Sequence, residues 1–170
     1  MLTVQQVDTL LNHQKKTVSP MAWKPIKHRN TIEYQTSIAM MRSGEIIESL
    51  RLLCVYTPMP NPAHDYYSFT LLFNNQRVYA LDKENEFKLH RNRQAGFGRK
   101  HYGETINGSH EHTWSEEGYG YAEPFTLGSN AIHKDYWNYV TKRTNIALTG
   151  AYSHPTEGTD GQLSLLFSGG

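Results

Sequence analysis

The chain has 170 residues, 38% of them hydrophobic and 19% charged, with a formal net charge of +1. That length can bury a core without staples, and the composition excludes a coiled coil, a disordered chain and an acidic mimic of DNA. Its single cysteine, Cys54, sits in the apolar run LRLLCVY, which excludes a disulfide framework and a cysteine-rich zinc site.

In chain order, the first eight residues lack the basic start and apolar core of a secretion signal. No apolar run reaches the ~18 residues of a membrane span, so a cytoplasmic protein without membrane association is expected. Thr3 is placed to cap a helix whose Val4, Val7, Leu10 and Leu11 form one stripe, ending near Lys15. Residues 17–30, with Pro20 and Pro25, read as a connecting loop. Four strands are expected next: 31–41, then 45–57 after a turn at Ser43-Gly44, 66–73 after the proline-rich PMPNPAHD, and 77–82 after a hairpin at Asn74-Asn75-Gln76.

Residues 89–125 show no helical or strand period and read as a long irregular loop, in which Gly118-Tyr119-Gly120-Tyr121 is a tight turn. Ser129 or Asn130 is placed to cap a helix through Arg143 with Ile132, Tyr136, Tyr139 and Val140 on one face. The stretch 149–170 is rich in Gly, Ser and Thr and reads as a flexible tail, or as an edge strand at Leu163, Leu165, Leu166 and Phe167. The expectation is one α+β domain over residues 1–170, an antiparallel meander of four to six strands with an N-terminal and a C-terminal helix packed on it.

Charge is uneven along this chain. Lys15, Lys16, Lys24, Lys27 and Arg29 form one acid-free basic segment, and Lys88, Arg91, Arg93, Arg99 and Lys100 form a second. Folded side by side they would make a phosphate-binding patch; apart, they are two solvated loops.

The long loop concentrates the chemistry. In extended backbone, residues two apart point to the same side, so His90 and Asn92, and likewise His110 and His112, present paired side chains. If the two pieces pair, these four converge, with Tyr102 and Arg99 near in sequence. One reading makes two of the histidines acid and base for phosphodiester cleavage without a metal. Arg91, Arg93, Arg99 and Lys100 then stabilise the charged phosphorane, while Tyr102 or Trp114 stacks on a base. A second reading has His90, His110 and His112 ligating zinc or manganese with a position left open for water. A third has the rings hydrogen-bonding backbone carbonyls to hold the loop, the default role for any single histidine, including His13, His28, His64, His133 and His154.

Two resemblances bear on these readings. Gly103, His110, His112 and Glu116 look like the first metal motif of cupins, although six residues separate the glycine from the first histidine and no second motif follows. More specifically, His90, Asn92, Gly96, His110, His112, Glu117-Gly118-Tyr119-Gly120, Ala122, Pro124 and Asn145-Ile146 resemble an uncharacterised family of small phage, prophage and toxin-antitoxin-associated proteins, over residues 66–146. The segment between Asn92 and His110 is longer here than in that pattern. The resemblance implies a mobile-element protein acting on nucleic acid, with RNA or a nucleic-acid-processing host complex as target and an antitoxin or defence protein as partner.

Taken together, the sequence leads to a metal-independent ribonuclease with His90, His110, His112 and Tyr102 as catalytic residues and Arg91, Asn92, Arg93, Arg99, Lys100 and Trp114 as nucleic-acid contacts, needing no cofactor. Its rivals are a non-catalytic phage inhibitor of a host defence protein or its nucleic acid, and a zinc or manganese enzyme ligated by His90, His110 and His112.

Overall fold

The structure, a computed structural model, describes residues 2–157. The late apolar group at 163–167 lies outside the described residues. Helix α1 (Val4–Asn12) starts where expected, because Thr3 Oγ1 accepts from the Gln6 amide while Gln6 Oε1 accepts from the Thr3 amide, satisfying two otherwise orphaned donors. The helix stops at Asn12, short of Lys15, where the strand β1 (Lys15–Thr17) begins instead, and β2 (Lys24–Lys27) lies in the segment 17–30 expected to be loop.

The predicted meander is present as β3 (Ile32–Arg42), β4 (Glu45–Thr57), β5 (Tyr66–Phe73) and β6 (Gln76–Lys83). Asn74 and Asn75 adopt φ of 50° and 60°, the left-handed pair that a two-residue hairpin needs to match strand twist. Register stacks Leu52, Cys54, Phe69, Leu71, Tyr79 and Leu81 on one face, and all six are buried. Each large apolar side chain among them contributes about 1.5–3 kcal/mol on burial.

Helix α2 (His133–Arg143) covers that face through His133, Tyr136, Trp137 and Val140, one stripe at i, i+3, i+4 and i+7. Its start departs from expectation. Ile132, predicted on the apolar face, is the cap residue and is 62% exposed, its amide bonded to the Asp135 carboxylate. The buried contacts come instead from His133 and Trp137, whose rings lie 5.2 and 6.2 Å from that of Phe69.

The largest correction concerns residues 89–125, which hold four strands rather than an irregular loop: β7 (Leu89–Arg91), β8 (Thr105–Asn107), β9 (His110–Ser115) and β10 (Gly118–Pro124). The expected tight turn at 118–121 lies within β10, where a bulge falls between Gly118 and Tyr121. Alternation does exist in β9, but its buried positions include His110 and His112, so hydropathy does not reveal it.

The fold is α+β with a nine-stranded, mostly antiparallel sheet in the order β10-β9-β6-β5-β4-β3-β1-β11, the last strand being Ile146–Ala147, with β2 also on β3. β7 and β8 form a separate two-stranded sheet. Most of the first basic segment lies on β1 and β2 beside β3, whereas residues 91–100 lie beyond β10; only Lys88 approaches the first segment, lining with Met59 a hollow next to the one that Met59 shares with Lys27 and Arg29. Lys15 is buried and donates to Leu11 O, His13 O and Thr144 O, which removes it from any surface role. Among the described residues no helix is long and apolar enough to cross a membrane.

Candidate metal centre

After β6 the chain leaves the main sheet, forms β7 and β8, and returns as β9 beside β6. This path determines the site. In the β6–β9 ladder Asp82 lies opposite His110 and Ala80 opposite His112, so Asp82, His110 and His112 face one side of the sheet. Ser68 joins them from β5, where it is the partner of Asp82. His90 enters from β7, whose inward side also carries the cross-strand partner Ile106, buried at 3% exposure.

The three rings meet. His90 stacks on His110 at 5.0 Å between centroids, His112 stands edge-on to His90 at 4.6 Å, and His110 and His112 are 4.7 Å apart. One ring nitrogen from each lies within 4.8 Å of the other two. The strand pairing expected to produce this convergence is absent, since β7 pairs with β8 and not with β9. The Asn92 side chain neighbours His90 but is committed to the main chain of Ala122 and His101.

Hydrogen bonding fixes two tautomers, because a carbonyl oxygen only accepts. His110 Nδ1 lies 2.7 Å from Gly108 O and His90 Nε2 lies 3.0 Å from Gly120 O, so each of these nitrogens carries the proton. In the neutral rings His110 Nε2 and His90 Nδ1 keep free lone pairs. His110 Nε2 is 3.6 Å, and His112 Nε2 3.3 Å, from the same Asp82 oxygen, Oδ2. A lone pair facing a carboxylate is repulsive unless a proton or a cation lies between them. His112 Nδ1 is buried without a partner.

Burial favours the neutral form of His112 and of His90 beside one anion. Burial presses His112 down to about 4, only partly opposed by its bond to Asp82, and burial also lowers His90. For Asp82 burial pushes the carboxyl up, but hydrogen bonds from His112 and from Ser68 (Oγ to Oδ1, 2.6 Å) outweigh it and leave the group below its ordinary range. Arg77 is a distant partner at 3.9 Å. Ring nitrogens beside a deprotonated carboxylate form a donor set that suits a borderline-soft divalent ion, which at His112 Nε2 would take the place of the proton shared with Asp82.

The other predicted site residues are elsewhere. Asn92 is fully buried, and its side chain bonds both the N–H and the C=O of Ala122 as well as His101 O. Trp114, expected to stack on a base, is 4% exposed in the core with its indole N–H on Leu2 O, so its faces are taken. Tyr102 is exposed and packs edge-on to Phe97. Arg91, Arg93 and Lys100 are exposed, while Arg99 donates to Thr113 Oγ1 and lies over the Tyr121 ring.

Sequence reasoning missed Asp82, Ser68 and Arg77. The signal available was a lone acid two residues beyond Ala80 in the otherwise apolar run VYAL, on the same strand face. Comparison with protein families, with curated proteins and with solved structures finds no match to this chain.

Proposed function

We propose that the protein binds a divalent transition metal, zinc foremost, through His90, His110 and His112, with the Asp82 carboxylate beside His110 and His112. The observation that carries this reading is the convergence of three ring nitrogens within 4.8 Å beside a buried carboxylate. Zinc–nitrogen bonds of about 2.0–2.1 Å require ligand atoms somewhat closer than this, so small ring rotations complete the set. Gly108 O and Gly120 O act as the outer partners that usually fix the tautomer and orientation of metal-bound histidine. A metal held there ties the β7–β8 excursion to the main sheet and, where a coordination position stays open, supplies a Lewis acid.

Metal-stripped protein titrated with zinc and with manganese tests the reading, with binding stoichiometry and melting temperature as readouts. One zinc per chain and a raised melting temperature are expected, both lost in His110→Ala. Failure to bind, or binding indifferent to that substitution, overturns it.

The metal-independent ribonuclease uses the same rings as acid and base and requires a phosphodiester to reach them. His110 and His112 are each 3% exposed and His90 is half-buried, which supports ligation over direct attack. A chelator separates the proposals, since ribonuclease activity of this kind survives it. The mobile-element setting, with an RNA target, an antitoxin or a defence-protein partner, rests on the motif resemblance. As a non-catalytic inhibitor the protein would tolerate His110→Ala and fail on charge reversal at Arg91, Arg93 or Lys100.

A further inference from the structure

The loop 93–103 between β7 and β8 has an architecture that neither the metal centre nor the core explains. Its base is closed by the Asn92 amide on Glu104 O and by the Asn92 side chain on His101 O. Its inner side is fastened to the sheet. The Gly96 amide bonds Ser115 Oγ and Glu117, Ala95 is buried, and Arg99 reaches Thr113. Gly96 has a φ of 79°, and a Cβ there would lie 2.0 Å from Tyr121 Cδ2, so only glycine lets the loop seat this closely.

The outer side presents the opposite character. Phe97 is 77% exposed and Tyr102 42%, with ring centroids 5.4 Å apart. Around them Arg93, Arg99 and Lys100 are exposed, and residues 93–103 contain no acid. An apolar ring held out to water by a rigid loop is an anchor without its partner. The nearest carboxylates are already engaged, Glu117 on the Gly96 amide, Glu104 on His101 and Glu123 on the Tyr121 hydroxyl. Arg93 and Lys100 make no ion pair among the described residues, which leaves them to a polyanion, and a flat aromatic face suits an unpaired base better than a duplex, whose bases are already stacked.

We infer that loop 93–103 is a docking platform for single-stranded nucleic acid, with Phe97 stacking on a base, Tyr102 buttressing it, and Arg93 and Lys100 contacting phosphates. This inference is independent of the metal centre. It also replaces Trp114 as the stacking residue with one that has a free face.

Fluorescence anisotropy with labelled oligouridylate and oligothymidylate, on metal-stripped and zinc-loaded protein across a salt series, tests it. Binding is expected to weaken with salt at a log–log slope of roughly −0.7 for each phosphate contacted. Phe97→Ala should weaken binding about 5- to 100-fold without changing that slope. The double variant Arg93→Glu, Lys100→Glu should flatten the slope. Because Phe97 is exposed, circular dichroism of its variant should match the parent, and Ile46→Ala, at another exposed apolar residue, should bind as the parent does. No binding at low salt in either metal state, duplex bound as well as single strand, or full affinity in Phe97→Ala would overturn the assignment; the last would leave only non-specific charge attraction.

Discussion

Two groups of histidine lie inside this protein, and they differ in a way that separates packing from ligation. His133, on α2, is 1% exposed, is pressed down to about 3 by burial, and has an unpartnered Nε2. His112, on β9, is 3% exposed, is pressed down to about 4, and has an unpartnered Nδ1. Taken singly the two look alike. Around His133, however, stand the rings of Tyr56, Tyr67 and Phe69 and a single further imidazole, His154 at 5.4 Å, with Tyr152 Oη at 2.6 Å from Nδ1. Around His112 stand two more imidazoles and a carboxylate. Burial makes a histidine neutral in both places; only the neighbours decide whether its nitrogens meet other donors.

Four experiments break or sharpen that contrast. The largest effect is expected from matched substitutions. His112→Phe should reduce zinc affinity at least about 100-fold by isothermal calorimetry, whereas His133→Phe should leave it unchanged and cost under about 2 kcal/mol of stability. Equal losses of metal binding would erase the distinction.

Acid is the next lever. In metal-free protein both rings titrate far below the ~6.5 of the unfolded chain, so the unfolded state binds more protons below that pH. Stability should be full above pH ~6.5 and decline as pH falls towards 4, by about 3 kcal/mol from His112 alone, as read from denaturant midpoints. His133→Phe should shallow that decline, and added zinc should shift it to lower pH.

Asp82→Asn comes third, keeping the shape while removing the charge. A 10- to 100-fold loss of zinc affinity is expected, the size typical of groups that hold or orient metal ligands. The smallest effect belongs to Arg77→Gln. Its guanidinium lies 3.9 Å from Asp82 and is partly exposed, so its removal should change stability by no more than about 1 kcal/mol in chemical denaturation.

How much of this the sequence disclosed depended on whether the chemistry and the hydropathy pointed the same way. From Ile32 to Lys83 they did, since apolar alternation and Asn or Gly turns gave all four strands nearly to the residue. The pleat rule also placed His110 and His112 together. Past Leu89 the inward positions mix Ile106, Trp114 and Tyr121 with histidine, asparagine and small residues, and a pattern interrupted by polar side chains satisfied in the interior does not register as alternation. Asp82 was hidden for another reason. A carboxylate in a strand reads as a solvent-facing end until the partner strand, returning twenty-eight residues later at His110, is known to run beside it.

The buried Asn92 amide has a consequence for the molecule in solution. Strand β10 is the outermost member of the main sheet on its side, and an open flank there would offer ready pairing to another chain. The Asn92 side chain takes both main-chain groups of Ala122, and His90 takes Gly120 O, so side chains fill the places a tenth strand would use. At the far side the edges are β11, with only two residues, and β2, a four-residue strand that contains Pro25, both poor templates for extension. Among the described residues both flanks of the sheet are therefore short or filled by side chains, and concentrated samples of the protein should resist cross-β self-assembly.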